Sequence, residues 1–158
     1  SSDVCSSDLL QARILLFYTG VSRSSAKIID DQKRNTKNNI TKAINAMHLV
    51  KKFALSMKEA VLTGDMRMFG DILDKSWKEK QKMSNQISNS KIDKIFETAI
   101  KNGAISGKVS GAGGGGFIMF FVDPVKKIQV KNSLKPYKGI FINFDFSEGG
   151  CHSWKIDK

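Results

Sequence analysis

Five of the six residues from Gly111 to Gly116 are glycine, and an apolar run follows at once. That run, Phe117-Ile118-Met119-Phe120-Phe121-Val122, is too short for a helix of its own and rich in strand formers, so a buried strand is predicted there. The glycines then lie in a loop that opens the strand. Glycine is required where φ is positive or where another backbone or a ligand comes close. Successive N–H groups in such a loop can form a nest for an anion. A ligand-free turn is the alternative. The length of the run, with Lys108 and Ser110 just before it, favours an anion-linked role.

Two common phosphate loops do not fit. Gly111, Gly113 and Gly116 satisfy G-x-G-x-x-G by letter, but the dinucleotide fingerprint needs a helix after the glycines, and here a strand follows. The Walker loop ends in Gly-Lys-Ser/Thr, whereas Gly116 precedes Phe117.

Along the rest of the chain, Ile14 to Tyr18 reads as a buried strand that ends at Thr19-Gly20. Ser22 is positioned to cap a helix running from Arg23 to about Gln32, with Ala26 and Ile29 on one face. Arg23 in the first turn opposes the helix dipole, which an anionic ligand or an acidic partner would rationalise. From about Lys37, Ile40, Ile44, Met47, Val50, Ala54, Met57 and Val61 recur at helical spacing up to Gly64. Asp65 starts the next helix, with Phe69, Ile72, Leu73 and Trp77 inward and lysines 75, 78, 80 and 82 on its outer faces. Ser90 to Asp93 resembles a capping box for a helix ended by Gly103. After the glycine loop and its strand, Asp123-Pro124 caps a short basic helix lined by Val125, Ile128 and Leu134. Ile140, Ile142, Phe144 and Phe146 then alternate with Phe141, Asn143 and Asp145 as a strand, and a short strand is possible from Cys151 to Ile156. Asp145 reads as structural, and no catalytic base is assigned. The order of elements predicts an α+β fold: an antiparallel sheet with helices packed on one face.

Residues 1–9, Ser-Ser-Asp-Val-Cys-Ser-Ser-Asp-Leu, repeat Ser-Ser-Asp without apolar periodicity. They resemble a translated sequencing adapter and are assigned to a non-native leader, which leaves 10–158 as the domain; a natural disordered terminus is the alternative. The chain carries 26 Lys and Arg against 15 Asp and Glu, a net charge of +11 that attracts anions. The lysines are spread over several helices and no groove-reading or RNA-sheet motif accompanies them, which argues against nucleic acid. No apolar run reaches the ~20 residues of a membrane span. Two cysteines, Cys5 and Cys151, give no disulfide framework, and no signal peptide is visible, so a cytoplasmic setting is expected. His48 has no ligand cluster around it, and no metal site is predicted.

Ser110-Gly111-Ala112-Gly113-Gly114-Gly115-Gly116-Phe117 is similar to the third motif of the GHMP small-molecule kinases. Tyr18 to Ala26, Gly107 to Ser110 and Gly150 to Lys155 resemble the branch that acts on D-glycero-D-manno-heptose 7-phosphate. The resemblance implies a ferredoxin-like C-terminal domain with added helices. It implies phosphoryl transfer from ATP with Mg2+ to the anomeric hydroxyl of a heptose 7-phosphate, giving a 1,7-bisphosphate for surface-polysaccharide synthesis. It implies that Ser110 and the loop from Gly111 through Ala112, Gly113, Gly114 and Gly115 to Gly116 lie at phosphate or substrate, and that Arg23 and Lys108 are candidates for the substrate phosphate. The family's N-terminal motif and its Pro-x-x-x-Gly-Leu-Gly-Ser-Ser ATP loop are not in this sequence. The resemblance therefore implies a C-terminal fragment whose partner is a missing N-terminal domain holding most of the ATP and Mg2+ contacts, inactive alone. A stand-alone anion-binding module and a basic nucleic-acid binder remain the alternatives.

Overall fold

The structure is a computed structural model that describes residues 6–21, 24–147, 149–150 and 153–154. Its centre is two apolar strands, β1 (Ile14–Tyr18) and β3 (Phe117–Val122), paired antiparallel with Leu15 opposite Phe120 and Phe17 opposite Ile118. Both runs are apolar at nearly every position, so they are central strands with two covered faces rather than half-exposed ones. β2 (Ala104–Val109) pairs with β3, and β4 (Ile140–Ile142) with β1. The sheet order is β2-β3-β1-β4, every neighbouring pair antiparallel, as the predicted α+β class requires.

Among the described residues, six α-helices surround it: α1 (Ser6–Arg13), α2 (Ser25–Lys37), α3 (Thr41–Leu62), α4 (Met66–Gln81), α5 (Ser90–Lys101) and α6 (Lys127–Leu134). One face of the sheet, with Leu15, Phe17, Val109, Ile118, Phe120 and Val122, packs on Ile92, Ile95 and Ala99 of α5 and Val130 and Leu134 of α6. Ring contacts tie this layer together: Trp77 stacks on Phe96 with centroids 5.3 Å apart, and Phe96 meets Phe120 edge-on at 5.3 Å. On β3 the intervening residues Met119 and Phe121 join a second cluster with Ala60, Phe69, Ile72 and Leu73, so α3 and α4 cover the β3 positions that α5 and α6 do not, and helices lie on both faces of the antiparallel sheet rather than on the one expected.

Several local readings change. β2 was not foreseen; the segment after Gly103 is a strand, and the glycine loop is therefore the connection of a β2–β3 hairpin. α2 starts at Ser25 with Ser24 as N-cap, and it buries Ile28 while Ala26 and Ile29 stay exposed. α5 is capped by Asn89, whose side chain accepts from the N–H groups of Lys91 and Ile92, not by a Ser90–Asp93 box; Asp93 accepts instead from the Ser88 hydroxyl. Asp123 caps as expected, accepting from the Val125 N–H, but Val125 and Ile128 are exposed and α6 packs through Val130 and Leu134. β4 is three residues long and turns Phe141 inward onto Phe17 at 5.0 Å, leaving Ile140 and Ile142 exposed. Asp65 caps α4 by accepting from the Met68 N–H, as read. Residues 6–9 of the assigned leader form the first half of α1. The expected strand from Cys151 to Ile156 falls mostly outside the described residues.

Candidate functional site: a glycine hairpin loop locked to two neighbours

The hairpin loop 110–116 closes where the Ser110 N–H donates to the Phe117 carbonyl at 2.8 Å. Two further anchors hold it. On one side lies the end of β1: the Gly116 N–H donates to Val21 O at 2.7 Å, and Thr19 returns its own N–H (2.9 Å) and hydroxyl (3.0 Å) to Gly116 O. On the other lies the α4–α5 connection: the Gly114 N–H donates to Ile87 O at 2.8 Å, and the Asn89 side-chain amide donates to Gly114 O at 3.3 Å. Lys91 at the start of α5 completes the frame by donating to Thr19 O at 3.2 Å. Asn89 thus has two duties, capping α5 and gripping the loop.

This packing explains the composition of the loop. Gly113 has φ +115°, and a Cβ there would lie 2.6 Å from Ile87 O. Gly115 has φ +156°, and a Cβ there would lie 2.7 Å from Val21 O. Both positions combine a backbone conformation that L side chains rarely adopt with close approach of a neighbouring main chain. The same contacts correct one expectation: the amides of Gly114 and Gly116 are given to protein carbonyls, so an uninterrupted anion nest does not run along the loop.

What the loop leaves open is a hollow of about 280 Å³, lined by Ser25, Ser110, Gly111, Ala112, Gly113 and Gly115 among others. Ser25 is the first residue of α2, and the first turn of that 13-residue helix carries no acidic side chain. The positive end of its dipole therefore meets the hollow uncompensated by a carboxylate of its own first turn. A second hollow of about 260 Å³ lies on the other side, between Thr19, Lys91 and the Gly114–Gly115 segment.

Of the predicted site residues, Ser110 and the five glycines with Ala112 converge on this loop, and Lys108 lies two residues before it on β2. Arg23, with its proposed cap Ser22, lies outside the described residues. Sequence reasoning missed Lys80. It was placed on the outer surface of its helix, but it is partly buried, and its ammonium donates to Gly111 O. Burial, and secondarily the charge of Lys108, lowers its pKa to about 8. Asp145 is exposed and accepts from the Gln11 side chain at 2.8 Å. Among the described residues no three His, Cys, Asp or Glu side chains converge. Among them, too, no helix is long and apolar enough to cross a membrane.

An antiparallel sheet flanked by helices, with a seven-residue glycine hairpin loop fixed at its end, defines the class of domain. Comparison with known proteins narrows it. The model of the C-terminal region of the GHMP kinases matches residues 57–139, and the chain belongs to that family. It is 42% identical over 147 residues to the D-glycero-alpha-D-manno-heptose 7-phosphate kinase of Campylobacter jejuni, a match spanning 93% of this chain and 43% of that protein. A solved D-glycero-D-manno-heptose 1-phosphate kinase from Bacteroides thetaiotaomicron superposes with a TM-score of 0.61 at 31% identity, over 97% of this chain and 39% of its own. Streptococcus pneumoniae phosphomevalonate kinase, solved with phosphomevalonate and AMPPNP, shares the fold at a TM-score of 0.68 and 20% identity, over 82% of this chain and 37% of its own. The chain thus spans less than half the length of these relatives.

Proposed function

We propose that this chain is the C-terminal part of an ATP-dependent sugar kinase that phosphorylates the anomeric hydroxyl of D-glycero-D-manno-heptose 7-phosphate in the cytoplasm. The observation that carries the reading is the 42% identity, over nearly the whole chain, to a kinase of that substrate. The site supports it chemically. In phosphoryl transfer the anomeric oxygen bonds to the γ-phosphorus of ATP while the bond to the bridging oxygen of ADP breaks. Little covalent chemistry falls to the protein; it must hold the two reactants and meet the charge on the phosphoryl oxygens.

The hollow at the α2 N-terminus offers the Ser110 and Ser25 hydroxyls beside a rigid loop wall, which suits phosphoryl or sugar oxygens. In this reading the glycine loop is a template: its anchors to Thr19, Val21, Ile87 and Asn89 fix the wall against which the substrate is placed. Arg23 and Lys108 supply positive charge for the phosphate that the sugar already carries. The ATP loop, the ligands of Mg2+ and the acceptor of the hydroxyl proton belong to an N-terminal domain that the longer relatives contain beyond this match. The test is phosphorus NMR of the product made by the two-domain enzyme. A new anomeric phosphate on a sugar that keeps its 7-phosphate supports the reading. Turnover of unphosphorylated sugars alone overturns it.

A further inference from the structure

We propose that Lys80 and Lys108 together form the receptor for the non-transferred phosphate of the substrate, a dianionic phosphate monoester, at the base of the glycine loop. The identity of that anion rests on the sugar-phosphate reading above; the existence of the receptor does not.

Three observations carry it. First, the end of α4 and its C-cap residue carry three lysines of different fates, Lys78, Lys80 and Lys82. Lys78 pairs with Asp74 at 2.6 Å and Lys82 pairs with Glu79, each on its own helix. Lys80 has no carboxylate partner among the described residues; it turns to the loop and donates to Gly111 O. That bond uses one of three ammonium donors. Second, Lys108 approaches from a different element. It lies on β2 opposite Met119, and strand alternation puts it on the face away from the buried Val109. It too lacks a carboxylate partner among the described residues. Third, the face that carries Lys108 is the one α4 covers, since Met119 opposite it packs with Phe69, Ile72 and Leu73, and the charge of Lys108 adds to burial in lowering the Lys80 pKa. Two like charges brought together from two elements without a counter-ion are unfavourable. A bound dianion reverses the sign of that interaction, and the position, with Lys108 two residues before Ser110 and Lys80 on Gly111 O, places the anion beside the proposed reaction site.

The competing explanation is that Lys80 only ties the end of α4 to the loop. Side-chain NMR of lysine labelled at Cε and Nζ separates the two, with inorganic phosphate as the probe, chloride as the ionic-strength control, and Lys80→Arg and Lys108→Arg to assign signals. The expected result is a saturable, phosphate-specific shift at both Lys80 and Lys108, with the Lys80 titration midpoint moving up from about 8. In Lys108→Met the midpoint of the free chain also rises, because the like charge is gone, but phosphate affinity falls at least about tenfold. Heptose 7-phosphate should compete for the site and ATP should not. No saturable shift, the same shift with chloride, or preferential displacement by ATP each overturns the proposal. Because binding is read without turnover, loss of the receptor and failure of the kinase reading give different results.

Discussion

Gly113 and Gly115 combine positive φ with a neighbouring carbonyl closer than any Cβ tolerates. Gly113→Val and Gly115→Val are expected to abolish kinase activity in the two-domain enzyme. Gly111 has φ +73° but nothing within 4 Å of an added Cβ, so Gly111→Ala is expected to cost only the about 1–2 kcal/mol of a left-handed L residue. Gly113→Ala adds a backbone clash to that strain and should cost measurably more in urea unfolding; equal costs would reduce the loop to an ordinary turn. The glycine run announced this loop because no other residue type satisfies such geometry. Lys80 announced nothing. A lysine stem packs along apolar surface while its head reaches a carbonyl, and helical spacing alone does not tell which of several lysines does so. Its lowered pKa has a signed consequence. The folded chain binds this proton less tightly than the unfolded one, so between pH about 8 and about 10.4 the unfolded state holds more protons and stability rises with pH. Wild type should gain stability relative to Lys80→Met across that window, and a loss would contradict the burial of the ammonium.

Among the elements, α5 couples fold to site through Asn89. Asn89→Ala is expected to lose about 1 kcal/mol of capping, and also the grip on Gly114 O. Asp65→Ala loses a comparable cap on α4 without touching the loop. Asn89→Ala should therefore unfold at no higher a urea concentration than Asp65→Ala, and it alone raises KM or lowers kcat; equal kinetics in both would make Asn89 a cap and nothing more. The central strands were legible because β1 and β3 are apolar at nearly every position. β2 was not, because Ser106, Gly107 and Lys108 interrupt its apolar pattern and an irregularity between Ala104 and Ser106 breaks its period of two. β4 misled for a different reason: apolar side chains occupy both parities, and only the Phe17 ring decides that Phe141 faces in. In α6 and the turn before it, the exposed Ile128 and Val125 imitate a buried stripe that Val130 and Leu134 in fact supply.

At the scale of the molecule, the core stands on the sheet and its helices and draws little on the start of the chain. Within residues 1–9, Ser7, Asp8 and Leu9 are exposed, and the packing of α1 begins with Leu10 against the Phe121 cluster. Deleting residues 1–9 is expected to shift the thermal midpoint by no more than a few degrees, which corresponds to less than about 1 kcal/mol; a larger loss would give α1 a structural role. The family was legible because the loop motif specifies both a geometry and a position before an apolar strand. The positions that complete the site, by contrast, depend on long-range packing: Ile87 and Asn89 reach the loop from the α4–α5 connection, and no local pattern marks them.

The central claim is that this chain supplies the glycine-loop half of a heptose-phosphate kinase. It is tested most directly by assaying ADP release and sugar bisphosphate formation from heptose 7-phosphate, using the 158 residues alone and again with the Gly-Leu-Gly-Ser-Ser half added as a separate polypeptide. The account predicts no turnover by the chain alone, turnover when the halves associate, and loss of that turnover with Gly113→Val. Robust turnover by the 158 residues alone, or an associated pair of folded halves that leaves heptose 7-phosphate untouched, would contradict it.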